Sequence, residues 1–518
     1  MTNTLDVPTY QLAQLYSDSL EAKRRYRAIR DAFLGRFGTE PKIYARAPGR
    51  VNLIGEHIDY EGYGVFPMAI ALDTVVAVAP NDTEEHVICN VQSAKFPEVR
   101  TSADPDEPFA GHSWANYVLC GFKAVTEGLT EMHSPREKLV RLKGGLNVIV
   151  DGRVPTGSGL SSSAALICAS FMAGARAVGA AFSRAEIAAR SARAERLVGV
   201  SCGGMDQAIS MLGQKGAAAL VEFLPALEAT PVALPADAAF VVANSLAVSD
   251  KAVGASGRYN LRVVECRAAS VLLARKLGAS EEDAVRDART LRDVTEIADK
   301  WAQENPLPEE AEGEKSGDAS ASPALTAHLH DPLYRAAEAL LPAGALTRDE
   351  VEAALGTSFA GLFDADDANA ALVLREQNAF RLKDRALHVL SERLRVPAFA
   401  RLCQQKDTSL ETLGALMDAS HASCRDLYGI SCPELEELTR DERELGALGA
   451  RVTGAGFGGC TVALVRAGDE DRVLQGLEKA FYAKRIEEGR LKKEDLAQNL
   501  FATKPAAGGG YVDPASIA

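Results

Sequence analysis

The stretch from Leu146 to Val178 leaves the chain few ways to fold. Leu146 to Val150 is a short aliphatic run of strand type, and an alanine-rich run of helical spacing extends from about Ser162 to Val178. Between them lies Val154-Pro-Thr-Gly157-Ser-Gly159-Leu-Ser161-Ser162-Ser163-Ala-Ala165. A strand that enters a helix through a glycine- and serine-rich turn turns backbone N–H groups, and the positive end of the helix dipole, toward an anion. Gly157, Gly159, Ser161, Ser162 and Ser163 are therefore candidates for a phosphate cradle, in which a serine hydroxyl can also ligate Mg²⁺. The competing reading is an ordinary serine-capped helix; the length of the run favours the cradle. The chain contains no GxxxxGK[ST], so the loop is not of the Walker type.

The surrounding pattern alternates. Apolar spacing is helical from Tyr10 to Phe37, Ile43 to Arg46 reads as a strand interrupted by Pro48-Gly49, and Val65 to Val78 reads as another strand. A helix from Arg184 to Leu197 leads into Cys202-Gly203-Gly204. A mixed α/β domain up to about residue 225 follows from this order. Phe240 to Asn244 looks like the first strand of a second domain, Arg262 to Leu277 is helical, and Ala450 to Val465 reads as strand, glycine turn, strand. At 518 residues the chain exceeds what one core serves, since single cores stop growing at roughly 250–300 residues. Domains at 1–225 and 226–518 are expected. The segment 304–323 is rich in Pro, Glu, Gly, Ser and Ala and reads as a disordered surface insertion.

Two further segments carry polar groups in dense patterns. Ala47-Pro-Gly-Arg50-Val-Asn-Leu-Ile-Gly-Glu56-His57-Ile-Asp59-Tyr60 places three short polar side chains on one turn, an arrangement able to bind neighbouring hydroxyls of a sugar. An exposed turn or a metal site would use the same residue types, although HExxH is missing. Arg451-Val-Thr-Gly454-Ala-Gly456-Phe-Gly458-Gly459-Cys460 satisfies GxGxxG, but a strand follows it where a dinucleotide fold needs a helix. It is expected to be a tight turn against another backbone or a ligand. Gly203-Gly204-Met-Asp206 could hold an acid at a fixed point in a cleft, or merely cap a helix.

Net charge is −14, with no basic block, which argues against nucleic acid as a partner. Nine cysteines at irregular spacing, with no CxxC, argue against a disulfide framework or a zinc ribbon. His328 and His330 read as surface residues. No stretch is apolar enough for a signal peptide or a membrane span, so a cytoplasmic protein with small-molecule partners and no membrane contact is expected.

Together the three motifs resemble, in order and spacing, those of the galactokinase family of the GHMP kinase superfamily. Ser420-His-Ala-Ser-Cys-Arg-Asp-Leu-Tyr428, Cys432-Pro-Glu-Leu435 and Leu500-Phe-Ala-Thr-Lys-Pro505 are similar to the eukaryotic branch that holds plant galactokinases and animal N-acetylgalactosamine kinase. The resemblance spans nearly the whole chain outside 304–323. It implies an α+β, two-domain GHMP kinase fold with the active site in the interdomain cleft, acting on galactose and MgATP, usually as a monomer. By resemblance, Asp206 and Arg50 are the catalytic pair. Arg50, Glu56, His57, Asp59, Gly204, Asp206 and Tyr259 hold the sugar; Gly157, Gly159, Ser161, Ser162 and Ser163 hold ATP, with Trp114, Asn244 and Ser245 near the nucleotide. Ser162, Ser163 and Glu195 are placed to hold Mg²⁺. The alternatives are an N-acetylgalactosamine kinase, whose animal member carries phenylalanine where Tyr259 stands, and a non-catalytic galactose sensor, which the complete serine loop argues against.

Overall fold

A seven-stranded sheet and a four-stranded sheet organise the protein. The computed structural model describes residues 6–132, 144–199, 203–247, 257–307, 323–406 and 408–517. Cys202 and the bulk of the expected insertion, residues 308–322, lie outside the described residues.

Side-chain alternation explains the first sheet. Along its central strands Ile43–Asn52, Pro67–Pro80 and Leu146–Gly152, successive residues serve opposite cores, as the period of two in a strand requires. Tyr44, Val75, Ala77 and Ile149 pack with Tyr26, Ile29 and Phe33 of the helix Ser19–Phe37. Their neighbours Ala45, Val76, Val78, Val148 and Val150 pack with Ile167 and Phe171 of the helix Ser162–Ala177. Strands buried on both faces read as unbroken aliphatic runs, which is why these were legible.

The strand expected to stop at Pro48-Gly49 instead continues to Asn52, with a register shift between Pro48 and Arg50 against its neighbour. The irregularity has a cause. A Cβ at Gly49 would lie 2.6 Å from the Leu160 carbonyl, and the Arg50 N–H donates to that carbonyl at 3.1 Å. Glycine and a bulge here let the serine-rich loop dock onto the strand.

In the second sheet the antiparallel order is Gly449–Thr453, Cys460–Arg466, Ala238–Asn244, Leu500–Thr503. Alternation recurs: Ala239, Val241 and Ala243 face Leu438 and Val473, whereas Phe240 and Val242 face the large helical core. The boundary expected at 226 needs one correction. After Thr503 the chain returns, and Gly510–Val512 pairs with Ile43–Asn52 on one side and Thr9–Tyr10 on the other, inside the first sheet. Arg46 anchors this return by donating to the Gly508 carbonyl at 3.1 Å, while Asp73 accepts from Arg46 at 2.6 Å and from Arg25 at 2.5 Å. No local pattern announces a three-residue strand whose pairing lies so far back in the chain.

Candidate active site

Two adjoining pockets lie where the sheets' loops meet. The larger, about 290 Å³, is floored by the serine-rich turn and walled by Phe96, Trp114 and Tyr117. The smaller is bounded by Arg50, Glu56, His57, Asp59, Asp206 and Tyr259, with Gly454 and Ala455 of the second glycine turn.

The floor of the larger pocket is the glycine- and serine-rich turn from Gly157 to Ser163. Ser161, at a positive φ of 62°, reverses the chain just before the helix Ser162–Ala177, so the first-turn N–H groups open toward the pocket. The Ser161 hydroxyl is buried and has no protein partner, a cost that an added acceptor would relieve. Ser163 Oγ donates to Glu195 at 2.6 Å, and Gln207 Nε2 donates to the other oxygen of Glu195 at 2.5 Å. A hydroxyl and an oriented carboxylate beside a phosphate cradle form an oxygen donor set suited to Mg²⁺. Trp114 lines this pocket; its indole donates to the Pro97 carbonyl at 3.0 Å, and its ring lies 5.6 Å from that of Phe96. Asn244 and Ser245 line neither pocket. Asn244 Nδ2 donates to Asn499 at 2.8 Å, and the Ser245 N–H donates to the Gly459 carbonyl at 2.8 Å. Both are held by the second sheet and its glycine turn.

The smaller pocket is built from buried charge. Arg50 and Asp206 are only 1% and 3% exposed. Asp206 sits in the first turn of the helix Met205–Leu212, where the dipole favours an anion. Arg50 grips its Oδ1 with Nε at 2.9 Å and Nη2 at 2.7 Å. The same guanidinium donates through Nη1 to the carbonyl of Gly159 in the serine-rich turn. One side chain thus ties the acid of the small pocket to the floor of the large one. Asp59 Oδ2 accepts from the Met205 N–H at 3.3 Å. Gly203 makes that approach possible: a Cβ there would meet Tyr60 N at 2.4 Å. Gly204, at φ 106°, turns the chain into the helix.

Glu56 and His57 do more than line the wall. Glu56 accepts from Asn52 Nδ2 and from the Gly454 N–H at 2.5 Å, with Arg451 3.5 Å away. Burial pushes its carboxyl above the ordinary range despite Arg451 and Arg50. His57 reaches the Ala455 carbonyl at 3.0 Å. Both residues therefore fasten the second glycine turn to the first motif. That turn in turn presses on the serine-rich loop: a Cβ at Gly454 would lie 2.3 Å from the Gly159 carbonyl, and one at Gly459 2.7 Å from that of Ser158. Motifs far apart in the chain meet backbone to backbone, and glycine is what permits it.

A supporting layer behind the pocket was not legible in the motifs. His388 Nε2 donates to the Glu56 carbonyl at 3.0 Å, and burial pulls its pKa down to about 4. Glu392 accepts from the Gly55 N–H at 2.9 Å; burial would raise its carboxyl, but Arg395 and Arg451 outweigh that and bring it to about 2. His388 and Glu392 stand one turn apart on the helix Leu382–Gln404, and a polar pair on an otherwise buried stripe was the available signal.

His328 packs edge-on to Tyr334, with ring centroids 4.8 Å apart. Among the described residues no cluster of three metal-ligating side chains occurs, eight cysteines are unpaired, and no helix is long and apolar enough to cross a membrane.

Comparisons with known proteins agree with this geometry. Residues 116–214 match the GHMP kinases N terminal domain and residues 397–483 the GHMP kinases C terminal domain. Fold and facing pockets thus define an enzyme of the GHMP kinase class. Residues 31–80 match the galactokinase galactose-binding signature. The galactokinase of Dictyostelium discoideum is 36% identical, with 96% of each chain covered, and that of Saccharomyces cerevisiae is 33% identical, with 92% of each covered. The chain belongs to the galactokinase family. The solved galactokinase of Lactococcus lactis, complexed with galactose, shares the fold at a TM-score of 0.62 and 23% identity, covering 94% of this chain and 99% of its own.

Proposed function

We propose that the protein transfers the γ-phosphoryl group of ATP to the anomeric hydroxyl of α-D-galactose, releasing galactose 1-phosphate and ADP. The observation that carries this reading is Arg50, which holds the carboxylate of Asp206 and the backbone of the phosphate cradle at once. Arg50 lines the smaller pocket and is bonded to the floor of the larger one, which places its charge between the two.

Phosphoryl transfer asks the protein mainly for positioning and charge stabilisation. Asp206 orients the anomeric O1–H and accepts its proton as O1 bonds to the γ-phosphorus and the bond to the β–γ bridging oxygen breaks. Arg50 steadies the charge on the migrating group. Glu56, His57, Asp59 and Tyr259 shape the sugar pocket, and the N–H groups around Gly157, Gly159 and Ser161 to Ser163 cradle the phosphates. Ser162, Ser163 and Glu195 would hold Mg²⁺, which when bound offsets phosphate charge. Residues 1–225 supply the cradle and the acid. The part from 226 supplies Tyr259 and the second glycine turn, apart from the tail that rejoins the first sheet. We read the protein as a cytoplasmic monomer whose partners are galactose and MgATP.

ADP release by the purified protein, measured with galactose, N-acetylgalactosamine, galacturonate, arabinose and glucose in turn, tests the assignment. Turnover with galactose alone is expected. A preference for N-acetylgalactosamine would overturn the substrate while keeping the class, and no turnover with any sugar by folded, ATP-binding protein would overturn the enzyme reading.

A further inference from the structure

His57 stands among three tyrosines, with ring centroids 4.9 Å from Tyr259, 5.1 Å from Tyr428 and 5.8 Å from Tyr60. Its two nitrogens meet different chemistry. Nε2 lies 3.0 Å from the Ala455 carbonyl oxygen, an atom that can only accept, so Nε2 carries a proton. In a neutral imidazole Nδ1 must then accept, and the Tyr60 hydroxyl at 2.9 Å must donate to it. Tyr60 has thereby committed its only proton, so its 2.6 Å contact with the Tyr428 hydroxyl is filled by the proton of Tyr428. The Tyr428 oxygen then accepts from the Cys266 thiol at 3.3 Å. One backbone carbonyl sets the direction of every hydrogen bond in the row.

The surroundings hold this row in place without using its hydroxyls. Arg262 donates to the Tyr428 carbonyl at 2.7 Å, and the ring of His388 stacks 4.3 Å from that of Tyr428. Burial keeps the protons on: it raises Tyr60, Tyr428 and Cys266 well above their ordinary pKa values. At the other end, Ala455 and its neighbour Gly454 line the same pocket as His57. Reversing the tautomer would set the Nε2 lone pair against the Ala455 oxygen and leave Glu56 alone to fasten the turn to the first motif.

We propose that Tyr60 and Tyr428 are positioning residues for the sugar pocket: their ordered hydroxyls hold His57 as the Nε2–H tautomer, and that tautomer clamps the second glycine turn at Ala455. The consequence for galactose rests on the sugar-kinase reading; the tautomer does not.

The test is nitrogen-15 NMR of the full chain labelled at histidine, at about pH 8, with His57 assigned by the signal lost in His57→Gln, alongside steady-state kinetics. His57 should show a protonated Nε2 and a bare Nδ1. Tyr60→Phe should give mixed tautomers and raise KM for galactose about 3- to 10-fold, the size of one net hydrogen bond, with KM for ATP within about twofold. Tyr428→Phe, whose ring is held independently, should shift both readouts the same way and less. A wild-type His57 that is Nδ1–H or doubly protonated would overturn the proposal before any variant is made. So would a Tyr60→Phe protein that keeps either the wild-type tautomer or the wild-type galactose KM. If the wild type fails to turn over galactose, the substrate reading falls, and the spectrum still judges the hydroxyl row.

Discussion

The two pockets solve opposite problems. The nucleotide side is roomy, about 290 Å³, and its floor offers an anion the N–H groups at a helix start and a few hydroxyls. The sugar side is tight and made of buried side chains, among them Arg50, Glu56 and Asp206, each compensated by a named partner. A polyanion carries its own charge and solvation, so a cradle of dipoles serves it. Discriminating neutral hydroxyls needs rigid donors and acceptors, and rigidity in low dielectric requires the second layer of Arg451, His388 and Glu392 behind the first. What the two sides share is Arg50 and the glycine contacts between their loops.

That division is most sharply tested at Asp206. Asp206→Asn should lower turnover about 10²- to 10⁴-fold, the range for loss of a general base, and leave ATP binding by calorimetry nearly intact. Near-normal turnover would remove the acid from the chemistry, and lost ATP binding would mean the pockets are not separable.

A second consequence concerns buried charge. Glu61, on the back of the sugar motif, accepts from the Leu291 N–H at 2.7 Å, and burial pushes its carboxyl up to about 8. Its folded pKa is raised, so its contribution is fully present below the unfolded value and is lost as pH rises toward 8. Glu61→Gln imitates the protonated form. Relative to wild type, the variant should gain stability as pH climbs from about 5 to 8, by at most about 1.4 kcal/mol per pH unit. Urea unfolding of both proteins across that range measures the difference, and parallel curves would show that Glu61 is ionised in the fold.

The smallest effect belongs to the roomy side. Trp114→Ala should raise KM for ATP only a few-fold, about 3- to 10-fold, since one aromatic wall is lost from a site that keeps Phe96, Tyr117 and the serine-rich floor. KM for galactose should not move. A shift in the sugar constant instead would erase the contrast between the two pockets.

Much of this was legible because local physics wrote it. The strands and helices of the first sheet follow from aliphatic runs and helical spacing. The serine-rich turn is recognisable from glycines and hydroxyls between a strand and a helix, and the rejection of a dinucleotide turn at Gly454 held because Cys460–Arg466 is a strand. Asn244 and Ser245 were placed by resemblance alone; the contacts they make, with Asn499 and Gly459, join segments that no local pattern pairs.

The sequence alone determined which loop could bind phosphate and which turn could bind hydroxyls, because those depend on residues near one another in the chain, and its length alone led to the expectation of two domains. Only the tertiary structure decided that Arg50 joins both pockets, that Gly454 meets Gly159, that the C-terminal end returns to the first sheet, and that Tyr428 stands behind His57. Each of these is a contact between distant segments, and its energy comes from burial and close approach that no local pattern encodes.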